Sequence, residues 1–74
     1  MSREDPAKDK LWSTLVEAVH ALVMYPNHKA YTREFILLEK PEITAEELAA
    51  RLKLPLGEAL VILYELADER KTQS

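Results

Sequence analysis

His20 and His28 are the only imidazoles in a chain of 74 residues that has no cysteine. A metal centre needs three or four ligands at fixed geometry. Glu17, three residues before His20, shares a helix face with it, but one turn beyond His20 stands Met24. Two ligands make no centre, so the sequence predicts no metal and no cofactor. His20 reads as a satisfied or partly exposed histidine in an apolar helix half, and His28 as a residue of a loop over 26–31. The acidic pairs Glu46-Glu47 and Asp68-Glu69 read as a helix cap and a solvated helix end. No Ser/His/Asp arrangement, glycine-rich phosphate loop or nucleophile elbow occurs, and a single glycine leaves little room for a cleft. The expectation is a non-enzyme with no catalytic residues.

Phosphate recognition is the other chemistry to weigh. Lys29, Arg33, Arg51, Lys53, Arg70 and Lys71 are the candidate nucleic-acid contacts, gathered where the second helix begins and where an inter-helix turn lies. Against ten Lys and Arg stand 13 Asp and Glu, a net charge of -3. A domain living on phosphate contacts usually carries a basic surplus. No signal-like leader and no apolar run of about 18 residues is present, so the chain is expected to be soluble and cytoplasmic, with no membrane contact.

Positioning such residues requires helices. The composition is 47% apolar and 31% charged, which is that of a folding chain. Leu, Ala, Glu, Lys and Arg dominate, and these are strong helix formers. One Asn, one Gln and no Cys suggest a thermophilic source. A single domain this short buries only about 60% of the surface its unfolded chain exposes. Without disulfides, efficient helix packing or oligomerisation must add to the core.

The tail 1–6 should fray, with Asp5 capping and Pro6 opening a first helix over residues 7–25. Leu11, Leu15, Val19 and Leu22 or Val23 recur at helical spacing, widened by Trp12 and Val16, and Pro26-Asn27 should end the run. Its second half is apolar nearly all round, which predicts burial on more than one side. A short second helix over 31–39 has Thr32 as its cap and Phe35, Leu38 and either Ile36 or Leu37 as its apolar face. A strand is the competing reading for that run, and Lys40-Pro41 closes it. Thr44-Ala45-Glu46-Glu47 spells a capping box, opening a third helix with Ala45, Leu48, Ala49 and Leu52 inward. Leu54 to Gly57 forms a break. A last helix, from Glu58 to about Arg70, carries Ala59, Leu63 and Leu66 on one face and Leu60, Val61 and Tyr64 on another.

Residues 32–70, TREFILLEKPEITAEELAARLKLPLGEALVILYELADER, resemble the winged helix-turn-helix superfamily. The resemblance rests on Ile43-Thr44, Glu47-Leu48-Ala49, Leu52, Leu54, and Leu63 with Leu66. It implies an all-α, four-helix domain: a tri-helical helix-turn-helix core, an extra N-terminal helix and no evident wing after Glu69. The family's DNA-reading positions fall on Leu56, Gly57, Glu58, Leu60, Val61 and Tyr64. None is a residue type that usually reads bases or phosphates, apart from a glutamate that needs cations beside it.

An exposed apolar stripe on the last helix usually marks an interface; otherwise it packs against the N-terminal helix. Trp12 suits an interface hot spot, or a core position with its indole N–H in solvent, which is the preferred reading. Trp12, Leu56, Leu60, Val61 and Tyr64 are thus the protein-interface candidates. The sequence predicts a non-enzymatic helix-turn-helix interaction module, homodimeric, docking a protein partner in transcription or other nucleic-acid machinery. A direct DNA-binding regulator is the alternative. A piece of a longer winged-helix chain is the third reading.

Overall fold

A computed structural model describes the backbone of residues 6–73 and the side chains within residues 10–71. The chain forms four helices, and no strand occurs among the described residues. Helix α1 is Pro6–His20. The segments Tyr25–Tyr31, Thr32–Ile36 and Leu37–Glu39 run on without a break as α2. Helix α3 is Ala45–Leu52 and α4 is Leu56–Gln73. The expected Asp5 cap and the tail before Pro6 lie outside the described residues.

The first helix stops five residues earlier than its apolar run suggests. The Ala21 and Leu22 amides donate to the Ala18 and Val19 carbonyls at 3.2 and 3.0 Å, the tighter i to i+3 pattern that closes a helix end. Pro26 does not end α1; it sits in the first turn of α2, where a missing N–H costs nothing. Leu22, Val23 and Met24 fall in the connection and are exposed, so the expected all-round burial of this half does not occur. Val19 is buried, with Trp12, Leu15 and Val16 packed half-buried against the core and Leu11 exposed.

Helix α2 is longer than the expected second helix. It contains His28, which the sequence placed in a loop, and it carries Thr32 as an interior residue rather than a cap. The Thr32 hydroxyl donates to the His28 carbonyl one turn back, at 2.8 Å. Such back-bonding competes with the helix ladder and bends it. The following turn is π-helical: the Leu37 amide donates to the Thr32 carbonyl, five residues back. Tyr25, Thr32 and Ile36 are buried, while Phe35 and Leu38, expected on the apolar face, are exposed.

The capping box forms as the sequence predicts. Thr44 Oγ1 accepts from the Glu47 amide at 3.1 Å, and Glu47 Oε1 accepts from the Thr44 amide at 3.0 Å. Leu48 is fully buried, and Ala45, Ala49 and Leu52 pack against the core. Lys53 ends α3 in the left-handed region at φ 59°, ψ 49°, the usual helix-stop conformation. The Leu54 amide returns to the Ala49 carbonyl at 2.9 Å and its side chain plugs the turn.

Helix α4 starts at Leu56 and runs to Gln73, so Gly57 belongs to it and not to the break. A Cβ on Gly57 would stand 3.0 Å from Leu15 Cδ1; the glycine lets α1 approach. The buried residues of α4 are Glu58, Ala59, Val61, Ile62 and Leu66. Val61, expected on an exposed stripe, is fully buried. The described residues measure 36 × 30 × 20 Å. Twenty ångströms is about two helix diameters, so every helix keeps one side in solvent.

Leu48→Ala should cost about 2–5 kcal/mol and Leu38→Ala less than about 0.5 kcal/mol. In a domain this size, 1 kcal/mol moves Tm by roughly 4–8 °C, so thermal melts followed by circular dichroism separate the two. Equal losses would mean that α2 is rotated from the orientation described.

Candidate interaction site

Helices α2 and α4 meet through a line of ionic contacts. Nearest the start of α4, Glu58 is only 3% exposed, and its Oε2 lies 2.6 Å from His28 Nδ1. Two turns on, Glu65 gathers three groups: the Tyr25 hydroxyl donates to Oε1, Lys29 Nζ donates to the same oxygen at 3.1 Å, and His20 Nε2 lies 2.8 Å from Oε2. One turn further, Glu69 accepts from Lys29 at 3.1 Å and from Arg33 at 3.3 Å. His20 is therefore paired with Glu65 and not with Glu17.

These contacts shift the groups involved. Burial alone would raise the Glu65 carboxyl, but hydrogen bonds from Tyr25, His20 and Lys29 outweigh it and hold it below the usual range. Lys29 and Arg33 hold Glu69 down as well. Burial pulls Lys29 down, yet the hydrogen bonds to Glu69 and Glu65 win and raise it. Burial first, then the Glu65 bond, push the Tyr25 hydroxyl well up. Near neutral pH the cluster thus offers a locked phenol and a fully charged ammonium. Neither is poised for proton transfer, which favours groups whose pKa lies near the working pH. Its geometry holds two helices in place.

The six nucleic-acid candidates are scattered among such pairs. Lys29 and Arg33 face Glu65 and Glu69, and Arg51 engages Glu39 at the end of α2. Lys53 is an exposed helix-stop residue. Arg70 and Lys71 are exposed near the end of α4. A small cleft brings Arg33 and Arg70 together with Glu69 around Leu37, Leu38 and Leu66.

The interface candidates divide. Trp12 and Tyr64 meet edge to face, with ring centroids 5.1 Å apart, so α1 covers part of the stripe in its own chain. Tyr64 remains 60% exposed, and Leu56 and Leu60 are also open to solvent. Val61 is out of reach, fully buried beneath them. Of the remaining base-reading positions the resemblance implied, Gly57 faces Leu15 and Glu58 is buried against His28.

What the sequence reading missed is the α2–α4 cluster, above all Tyr25 with Glu65. A signal was present: Tyr25, Lys29 and Arg33 recur every four residues, and so do Glu65 and Glu69. Placing a loop at 26–31 broke the first series.

Among the described residues, no group of three or more His, Asp or Glu side chains is arranged to hold a metal ion. No helix there is long and apolar enough to cross a membrane. No protein-family model, curated protein or solved structure matches this chain.

The lowered carboxyls of Glu47, Glu65 and Glu69 contribute stability that is present above the unfolded glutamate pKa of about 4.3. It is lost as pH falls through their lower folded values. The raised groups, Lys29 and Tyr25, contribute below their unfolded values of about 10, and that part fades as pH rises beyond them. These groups should therefore make Tm fall below about pH 5 and again above about pH 9. Glu65→Gln should flatten both limbs in melts carried from about pH 3 to about pH 11; an unchanged profile would remove Glu65 from the account.

Proposed function

We propose that this chain is a non-enzymatic interaction module of helix-turn-helix type, docking a partner protein through the seam where α1 lies against α4. The observation that carries the reading is the state of that seam. Trp12 and Tyr64 form a packed aromatic pair, and Leu56, Leu60 and much of the Tyr64 ring stay exposed beside it. A half-covered aromatic pair with aliphatic neighbours suits the core of a protein interface, where Trp and Tyr carry much of the binding energy.

The electrostatics support the same choice. A phosphate-binding surface needs several unengaged cations, whereas Lys29, Arg33 and Arg51 are already held by glutamates of this chain. The positions that would read bases are apolar, buried or covered by α1. A partner from transcription or another nucleic-acid machine rests on the resemblance in residues 32–70, where the capping box, Leu48, Leu54 and Leu66 keep the helix-turn-helix spacing.

The test is a fluorescence-anisotropy titration of labelled mixed-sequence duplex DNA, at low and at near-physiological salt. No binding even at low salt, where phosphate contacts are strongest, is the expected result. Micromolar binding that collapses with salt and is lost in Arg51→Glu would replace this reading with direct DNA binding. On the protein side, Tyr64→Glu should abolish retention of any partner on the immobilised chain, whereas Leu38→Glu should not.

A further inference from the structure

The charges at the two ends of the seam bear on what occupies it. Helix α4 turns its five buried residues inward. At about 100° per residue, Leu60 stands nearest the opposite side, with Leu56 and Tyr64 about 40° to either side of it. All three are exposed. Lys53 closes this line at one end, seven residues before Leu60, and Asp68 at the other, eight residues after it. Both are exposed. Helix α1 walls the Tyr64 side, where Trp12 packs on Tyr64 and Leu15 reaches Gly57. Glu17 lies beside Trp12 on that wall, and Arg70 and Lys71 follow Asp68 on α4.

Lys53 differs from the other cations. Lys29, Arg33, Lys40 and Arg51 are each held by a glutamate of this chain, whereas Lys53 engages no carboxylate among the described residues. A two-fold axis through Leu60 sets two copies of α4 antiparallel. Leu60 then meets its own copy, Leu56 meets Tyr64 of the second copy, and Lys53 arrives beside Asp68 of the second copy, twice over by symmetry. Neighbouring registers fail. Sliding one helix by about a turn towards its C-terminal end sets Lys53 against Lys71 and Leu56 against Asp68. The opposite slide carries Tyr64 past the start of the second helix.

We infer that the occupant of the seam is a second copy of this chain, joined through an antiparallel α4–α4 contact centred on Leu60, with Lys53 and Asp68 pairing across it at both ends. The inference rests on the docking reading and names its partner. What selects a copy is the order along the stripe: a cation, three apolar groups and a carboxylate, spaced so that a two-fold turn lays each charge on its opposite. A face shaped for a foreign protein needs no such match with itself. In paired helices, charges flanking an apolar line set partner and orientation. Asp68 stands about 80° round the helix from Leu60, a sideways offset that a lysine's long flexible stem spans. Each chain carries a net charge of -3, so two copies repel at a distance, and the two pairs offset that repulsion at contact.

Light scattering after size-exclusion chromatography at about 100 μM, a concentration reaching modest affinities, should give twice the 8.5 kDa chain mass. Leu60→Glu should return the monomer mass with an unchanged circular-dichroism spectrum. Lys53→Glu and Asp68→Lys each set like charges together at both ends and should weaken the dimer about tenfold or more. The double reversal Lys53→Glu/Asp68→Lys restores both pairs and should recover wild-type association, which a misfolded variant could not. A monomeric wild type would overturn the inference and leave the seam to a foreign partner. A dimer that survives Leu60→Glu, or single reversals that the double does not rescue, would overturn it as well. The docking reading fails separately, if Tyr64→Glu keeps every partner that the wild type retains.

Discussion

The burial of Glu58 constrains the arrangement more than any other single contact. A carboxylate almost without solvent must be compensated or it destabilises the fold by several kcal/mol. Two features compensate it. It lies in the first turn of α4, where the helix dipole presents partial positive charge, and His28 stands 2.6 Å away. The second feature fixes the rotation of α2. Once His28 faces Glu58, Thr32 and Ile36 face inward at the next two steps of four, and Lys29 and Arg33 are turned towards Glu65 and Glu69. One buried charge thereby sets which side of α2 is ionic glue, which is core and which is surface.

The same geometry explains why α2 is not a regular helix. Thr32 is held in the core without solvent, and its hydroxyl takes the nearest acceptor, the His28 carbonyl. That bond and the wide turn after it are one local event. Its consequence reaches outward: Ile36 still fits the core, but Phe35 is carried to the surface beside Tyr31. A single polar side chain thus connects interior packing to an exposed aromatic pair.

What was legible in the sequence was what is decided locally. The capping box at Thr44, the inward Leu48 and the turn plug Leu54 follow from residues within a few positions of one another, and the structure holds all three. The end of α1 was not legible, because Pro26 suits a helix start as well as a helix stop, and the apolar run from Ala21 to Tyr25 hid the break. Ile36 was read correctly as one of two choices for the inward face, but Phe35 was placed inward by assuming a constant 3.6-residue period across a turn that does not obey it. Val61 was misplaced for a different reason. The stripe on α4 was judged by apolarity alone, and only the placement of α2 and α3 decides that Val61 and Ile62 face in while Leu60 and Tyr64 face out.

The cations bear most directly on what the surface is for. Lys29 is shared by Glu65 and Glu69, four residues apart on α4, with Asp68 lining the same depression. Drawing Lys29 away to a phosphate would leave two carboxylates facing each other with less to hold them. Arg33 offers the same exchange at Glu69, and Arg51 at Glu39. Each phosphate contact made with these residues would therefore cost an internal one, and its net gain would be small. The apolar seam and the outward side of α2 carry no such cost: covering them with protein removes exposed carbon from water and breaks no ion pair described here. That asymmetry, more than the net charge, is what supports the proposed protein-docking reading over the nucleic-acid alternative.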